Sequence, residues 1–90
     1  MSVIFTPLGD ETAATTTAGA ATDISGATFV RVQQWGEVDP TIVYLIEANE
    51  TAVASWLMNP VQGTLEYIRK TPTQMLYANT TNVKFTPVKI

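Results

Sequence analysis

The sequence predicts an all-β fold, a small antiparallel β-sandwich or barrel of six to seven short strands. Three observations lead there. Fifteen Thr, nine Val and six Ile make one residue in three β-branched, and such side chains are stiff at χ1 and pack well on a pleated surface. Several short runs alternate apolar and polar residues, the period of a half-buried strand. Turn signals rich in Gly, Pro, Asn and Asp recur about every eight to twelve residues, the spacing of sandwiches and barrels. At 9.8 kDa, residues 1–90 make one small domain with a thin core, since a chain this size buries only about 60–70% of its unfolded surface.

The elements follow in order. Ser2 to Thr6 is a short extended run ended by Pro7, which cannot donate to a ladder and so marks an edge or a strand end. Residues 10–22 are Thr/Ala-rich and hold no large apolar side chain. They are expected to be irregular, either a flexible loop or an arm that orders only against another chain. Asp23 to Gly26 is a turn with Ile24 as anchor. Thr28 to Gln34 alternates Val30 and Val32 with Arg31 and Gln33. Residues 35–40 are a loop, and Thr41 to Glu47 is apolar on both faces, as a central strand is.

Val53 to Met58 fits strand or helix by period, and its stop at Asn59-Pro60 favours strand. Gly63 opens an alternating strand, Thr64 to Lys70. Thr71-Pro72-Thr73 is a turn, Gln74 to Asn79 is a strand or one helical turn, and Asn82 to Ile90 is a last strand. The word Phe5-Thr6-Pro7 recurs as Phe85-Thr86-Pro87. Each Pro removes a ladder donor, so both segments read as edge strands, with the two ends of the chain side by side in one sheet. The expected core is Val30, Val32, Ile42, Tyr44, Ile46, Trp56, Leu65, Tyr67 and Phe85.

The composition also bounds the chemistry. There is no Cys and no His, so there is no disulfide, no thiolate metal site and no imidazole base. Net charge is −3 with a pI near 4.6, against a nucleic-acid partner, which needs a basic face. No apolar run reaches the length of a membrane-spanning helix, and Met1 to Phe5 lacks the basic start of a secretion signal. Ser2, Ser25 and Ser55 have no His to activate them. Glu37 and Asp39 with Asp23 lack the dense acidic spacing of a calcium loop. Arg69-Lys70 beside Tyr67 reads as a solvated strand end rather than a base-stacking platform. No catalytic residue, cofactor site or metal site is expected. Trp56 is expected in the core. Trp35, at a strand end, and Tyr77 are each either an interface anchor or a packing residue.

Tyr67 to Leu76, followed by Asn82-Val83-Lys84-Phe85-Thr86-Pro87-Val88, resembles the C-terminal half of small β-rich structural proteins of tailed bacteriophages, especially marine and cyanobacterial short-tailed phages. In these a strand ending in basic residues runs into a Lys-x-Pro-Thr-Asp turn before a closing strand. Thr28 to Val32 and Thr41 to Glu47 resemble their earlier strands. The resemblance spans roughly residues 24–90 and departs from the pattern at Gln74, where Asp is expected, and in segment 10–22. It implies a non-enzymatic virion protein, foremost a capsid decoration (cement) subunit, alternatively a head–tail or tail accessory subunit. The implied partners are the major capsid protein or tail and portal proteins, and copies of itself, with neither nucleic acid nor membrane. The implied location is the virion, its capsid surface first, after synthesis in the host cytoplasm. Phe5, Pro7, Trp35, Tyr77, Phe85 and Pro87 are the interface candidates. A reading from another class is a small ligand- or carbohydrate-binding module with Trp35 or Tyr77 as platform.

Overall fold

Two antiparallel sheets pack face to face in the computed structural model, which describes residues 6–89. Among these, eight strands run in chain order: β1 (Thr6–Pro7), β2 (Thr12–Ala13), β3 (Phe29–Gln34), β4 (Thr41–Ile46), β5 (Ala52–Met58), β6 (Leu65–Arg69), β7 (Met75–Ala78) and β8 (Val83–Lys89). The larger sheet has the order β1-β8-β3-β6, with β2 following β1 along the same side of β8. The smaller is β5-β4-β7. Neither closes on itself, so the molecule is a sandwich and not a barrel.

The core lies where the two inner faces meet. Val30 and Val32 from β3 and Val83 and Phe85 from β8 are fully buried against Val43, Leu45, Met58, Leu76 and Ala78 of the smaller sheet. Ile24 and Ala14 plug the sides. The sheets are also joined by a polar clasp, in which the Trp56 indole N–H donates to Glu66 Oε1 at 2.8 Å.

Segment 10–22 is mostly irregular in backbone, but its own chain orders it. The Ala14 N–H donates to the Val83 carbonyl (2.7 Å), the Ala78 N–H to the Thr15 carbonyl (3.0 Å), and Thr22 exchanges two bonds with Leu76. The segment thus leaves the larger sheet at β8 and crosses to β7, stitching one side of the sandwich. Small side chains permit this close approach, and the backbone bonds supply the ordering that apolar groups do not. In this fold the segment's backbone partners come from its own chain.

Four expectations are corrected. In β6, Leu65 and Tyr67 are exposed and Glu66 and Ile68 are half-buried. The register pairs Ile68 with Val30 and Glu66 with Val32, and a one-residue change of phase exchanges the faces of a strand. Glu66 tolerates its inward place because it accepts the Trp56 indole bond. In β4, Ile42 and Tyr44 are half-buried rather than core, because they alternate with Thr41, Val43 and Leu45, which face inward. Trp56 is half-buried at the margin of the core.

The fourth concerns β8, which is interior and not an edge. It lies between β3 and the β1/β2 pair, with Thr6 opposite Lys89 and Pro7 opposite Val88. The two ends of the described chain do adjoin in one sheet. The Pro87 carbonyl accepts from Leu8 N–H (2.8 Å), so the backbone of Pro87 faces β1 and its missing N–H leaves the β3 ladder intact.

Candidate interaction surface

The interface candidates separate once the fold is known. Phe5 lies outside the described residues. Phe85 is fully buried and Pro87 is buried within β8, so both hold the sandwich together and neither can meet a partner. This corrects their assignment, and the interior place of β8 is the reason. Pro7 is exposed on the edge strand β1.

Trp35 is 41% exposed at the start of the β3–β4 connection. Its backbone N–H donates to the Asn82 carbonyl at 2.7 Å. The neighbouring Gln34, fully buried, donates through Nε2 to the Gly36 carbonyl and to Thr41 Oγ1, whose hydroxyl donates to the Val38 carbonyl. This buried polar knot fixes the loop from which the indole projects. A Cβ at Gly36 would come within 2.9 Å of Asn82 Cγ, so a larger residue there needs the exposed Asn82 side chain to move. One face of the indole is covered by Lys84, whose Nζ sits 3.9 Å from the ring centroid and 3.5 Å from Glu11 Oε1.

Tyr77 is half-buried on the outer face of the smaller sheet, where it stacks on Tyr44 with ring centroids 4.5 Å apart. Trp35 and Tyr77 belong to different sheets and face away from each other, so no small ligand spans both. Glu37 and Asp39 line a shallow cleft with Pro60 and Val61, whereas Asp23 lies near Lys70. Lys70 is buried, and its ammonium donates to the carbonyls of Thr71 and Gln74. Desolvation pulls its pKa below the usual lysine range, with Asp23 opposing the shift. Gln74 completes that turn by accepting the Thr71 N–H through Oε1 (2.9 Å) and donating to Glu47 through Nε2. These polar groups hold loops. None is arranged with a nucleophile and a base around open space.

The prominent surface feature is one that sequence reading missed. Seven large hydrophobic side chains are exposed among the described residues, and five of them (Val53, Leu57, Val61, Leu65 and Tyr67) lie on β5, β6 or the loop between them. These are the outer strands of the two sheets on the side opposite the stitch. The signal in the sequence was the charge-free run Ala52–Met58, read there as a strand without a place. No protein-family model matches the chain, and neither does any curated protein or solved structure.

Proposed function

We propose that this chain is a non-enzymatic structural subunit of a bacteriophage virion, foremost a capsid decoration subunit that stabilises the head by docking on the major capsid protein. The observation that carries an assembly role is the exposed apolar side chains of the outer strands β5 and β6, Leu57 on the outer face of the smaller sheet and Leu65 and Tyr67 on that of the larger. Such surfaces mark protein contacts. The phage assignment rests on the resemblance of residues 67–88 and their setting. Trp35 adjoins the β5–β6 loop, in which Gly63 donates to the Gln34 carbonyl at 2.8 Å, and it is the proposed anchor on the capsid.

Mass spectrometry of purified particles, with copy number per particle, tests the reading. A copy number matching the capsid lattice supports decoration. A few copies per particle support the head–tail or tail alternative, and absence from particles refutes both. Trp35→Ala should cost about 2 kcal/mol or more of docking energy, as a hot-spot aromatic does, with the fold unchanged. Full occupancy by that variant would remove Trp35 from the interface.

A further inference from the structure

The outer face of the smaller sheet is not flat. Thr41, Val43 and Leu45 of β4 face inward, so alternation puts Tyr44 and Ile46 on the outer face. Tyr77 pairs with Tyr44 on the β7 side, and Ser55 pairs with it on the β5 side. The two tyrosine rings stack with centroids 4.5 Å apart and planes 11° from parallel, so Tyr77 covers one face of the Tyr44 ring. The other face looks over Ser55, whose small side chain leaves it open.

The register shift between Leu45 and Ile46 leaves Val53 without a partner and brings Ala52 opposite Ile46, so only a methyl group stands there. Bulges of this kind recur beside binding sites, where they re-aim side chains. The result is a cleft of about 450 Å³ between the tyrosine stack and residues 52–55 of β5. Ile46 is its floor, 3% exposed yet outside the core between the sheets.

The lining says what fits. An aromatic ring face is electron-rich and attracts polarised C–H groups. The hydroxyls of Tyr44, Tyr77 and Ser55 can each donate and accept. Among the described residues no charged side chain lines the cleft, so an ion would lose hydration there with no counter-charge to meet. A pyranose offers a face of C–H groups and a rim of neutral hydroxyls, which matches all three features. The volume is within the range of small-molecule clefts, about 300–1,000 Å³. We propose that this cleft binds a neutral sugar, its ring stacked on Tyr44 and its hydroxyls meeting Ser55 and the phenols. Tyr77 is a positioning residue that holds the Tyr44 ring upright. A proline-rich peptide also packs on aromatic rings, but it needs a groove of them along its length, and this cleft offers one free ring face. The site goes beyond the assembly reading and does not depend on it.

Titration of the full chain with methyl β-glucoside, methyl β-galactoside and N-acetylglucosamine, followed by amide shifts in NMR, tests the site. The expected result is saturation in the millimolar range by at least one of these sugars, with shifts confined to residues 44–46, 52–55 and 75–77. Ser55→Met fills the space over the ring from an exposed position and should weaken binding at least about tenfold. Tyr44→Ala should abolish it, and Tyr44→Phe, which keeps the ring, should lose less. Thr12→Ser, on the larger sheet, should bind as the wild type does. The absence of saturable shifts with all three sugars overturns the inference, as do shifts centred elsewhere, or Ser55→Met binding undiminished. A decaproline peptide that occupies the cleft where the sugars do not overturns it as well. If Tyr44→Ala does not fold, Ser55→Met and Tyr44→Phe decide. None of these results depends on whether the chain occurs in virions, which the particle census decides alone.

Discussion

Glu50 holds a left-handed backbone, φ +69°, at the end of the β4–β5 turn. Its N–H donates to the Glu47 carbonyl (2.8 Å), and the Glu47 N–H closes the hairpin on the Thr51 carbonyl (2.9 Å). Hairpins of this kind favour Gly at that position. The Glu50 side chain is exposed, so replacing it sacrifices no packing. The left-handed conformation costs a residue with a Cβ about 1–2 kcal/mol, and the looser unfolded chain of a Gly variant returns about 0.5–1 kcal/mol of that. Glu50→Gly should therefore stabilise the fold by about 0.5–1 kcal/mol, raising Tm by about 2–8 °C in a domain of this size. Glu50→Ala removes the same charge but keeps the strain, and should stay within about 0.5 kcal/mol of wild type. Urea unfolding at constant m separates the two. If Gly is no more stable than Ala at this position, the strain argument is wrong.

Other perturbations test the core and the polar clasp. Trp56→Phe deletes the indole bond to Glu66 and should cost about 1–3 kcal/mol in urea unfolding, with Glu66→Gln, which keeps an acceptor, losing less. Phe85→Ala should cost about 3–5 kcal/mol by thermal unfolding, as a core residue does and an interface residue does not. Burial lowers the Lys70 pKa below its ordinary 10.5, Asp23 opposing. Over a window just below 10.5 the unfolded chain keeps a proton that the folded chain has released, so this group makes stability rise with pH there. The difference in urea midpoint between wild type and Lys70→Met should change in that direction as pH approaches 10.5, and a constant difference would refute the burial argument.

Strands β3, β4 and β8 were legible because their alternation is strong, and Val30, Val32 and Phe85 occupy the core as their pattern implies. β6 was legible as a strand but not in phase. Leu65 and Tyr67 look like the buried pair, and only the Trp56 partner explains why Glu66 turns inward. Pro87 suggested an edge because sequence does not show on which side of a strand the missing donor falls. Segment 10–22 looked unable to order itself because its ordering comes from backbone bonds to Val83, Leu76 and Ala78, which lie more than fifty residues away in the chain. The candidate surface was the least legible part. Exposure of Val53 and Leu57 depends on β5 being an outer strand, and topology rather than composition decides that.

The pairing of β1 and β2 with β8 has a consequence for synthesis. β1 and β2 have their ladder partner in β8, some seventy residues later in the chain. From Ala13 to Val83 a ribosome adding about 5–20 residues per second needs about 4–14 s. During that time the early segment has no strand to join, and β4 and β5 can form their local hairpin. The hairpin that forms early carries the charge-free strand β5, while the stitch to β8 forms only later. A nascent chain is therefore most exposed to misassembly through β5 before β8 emerges, and growth conditions that slow translation should lower the yield of soluble protein.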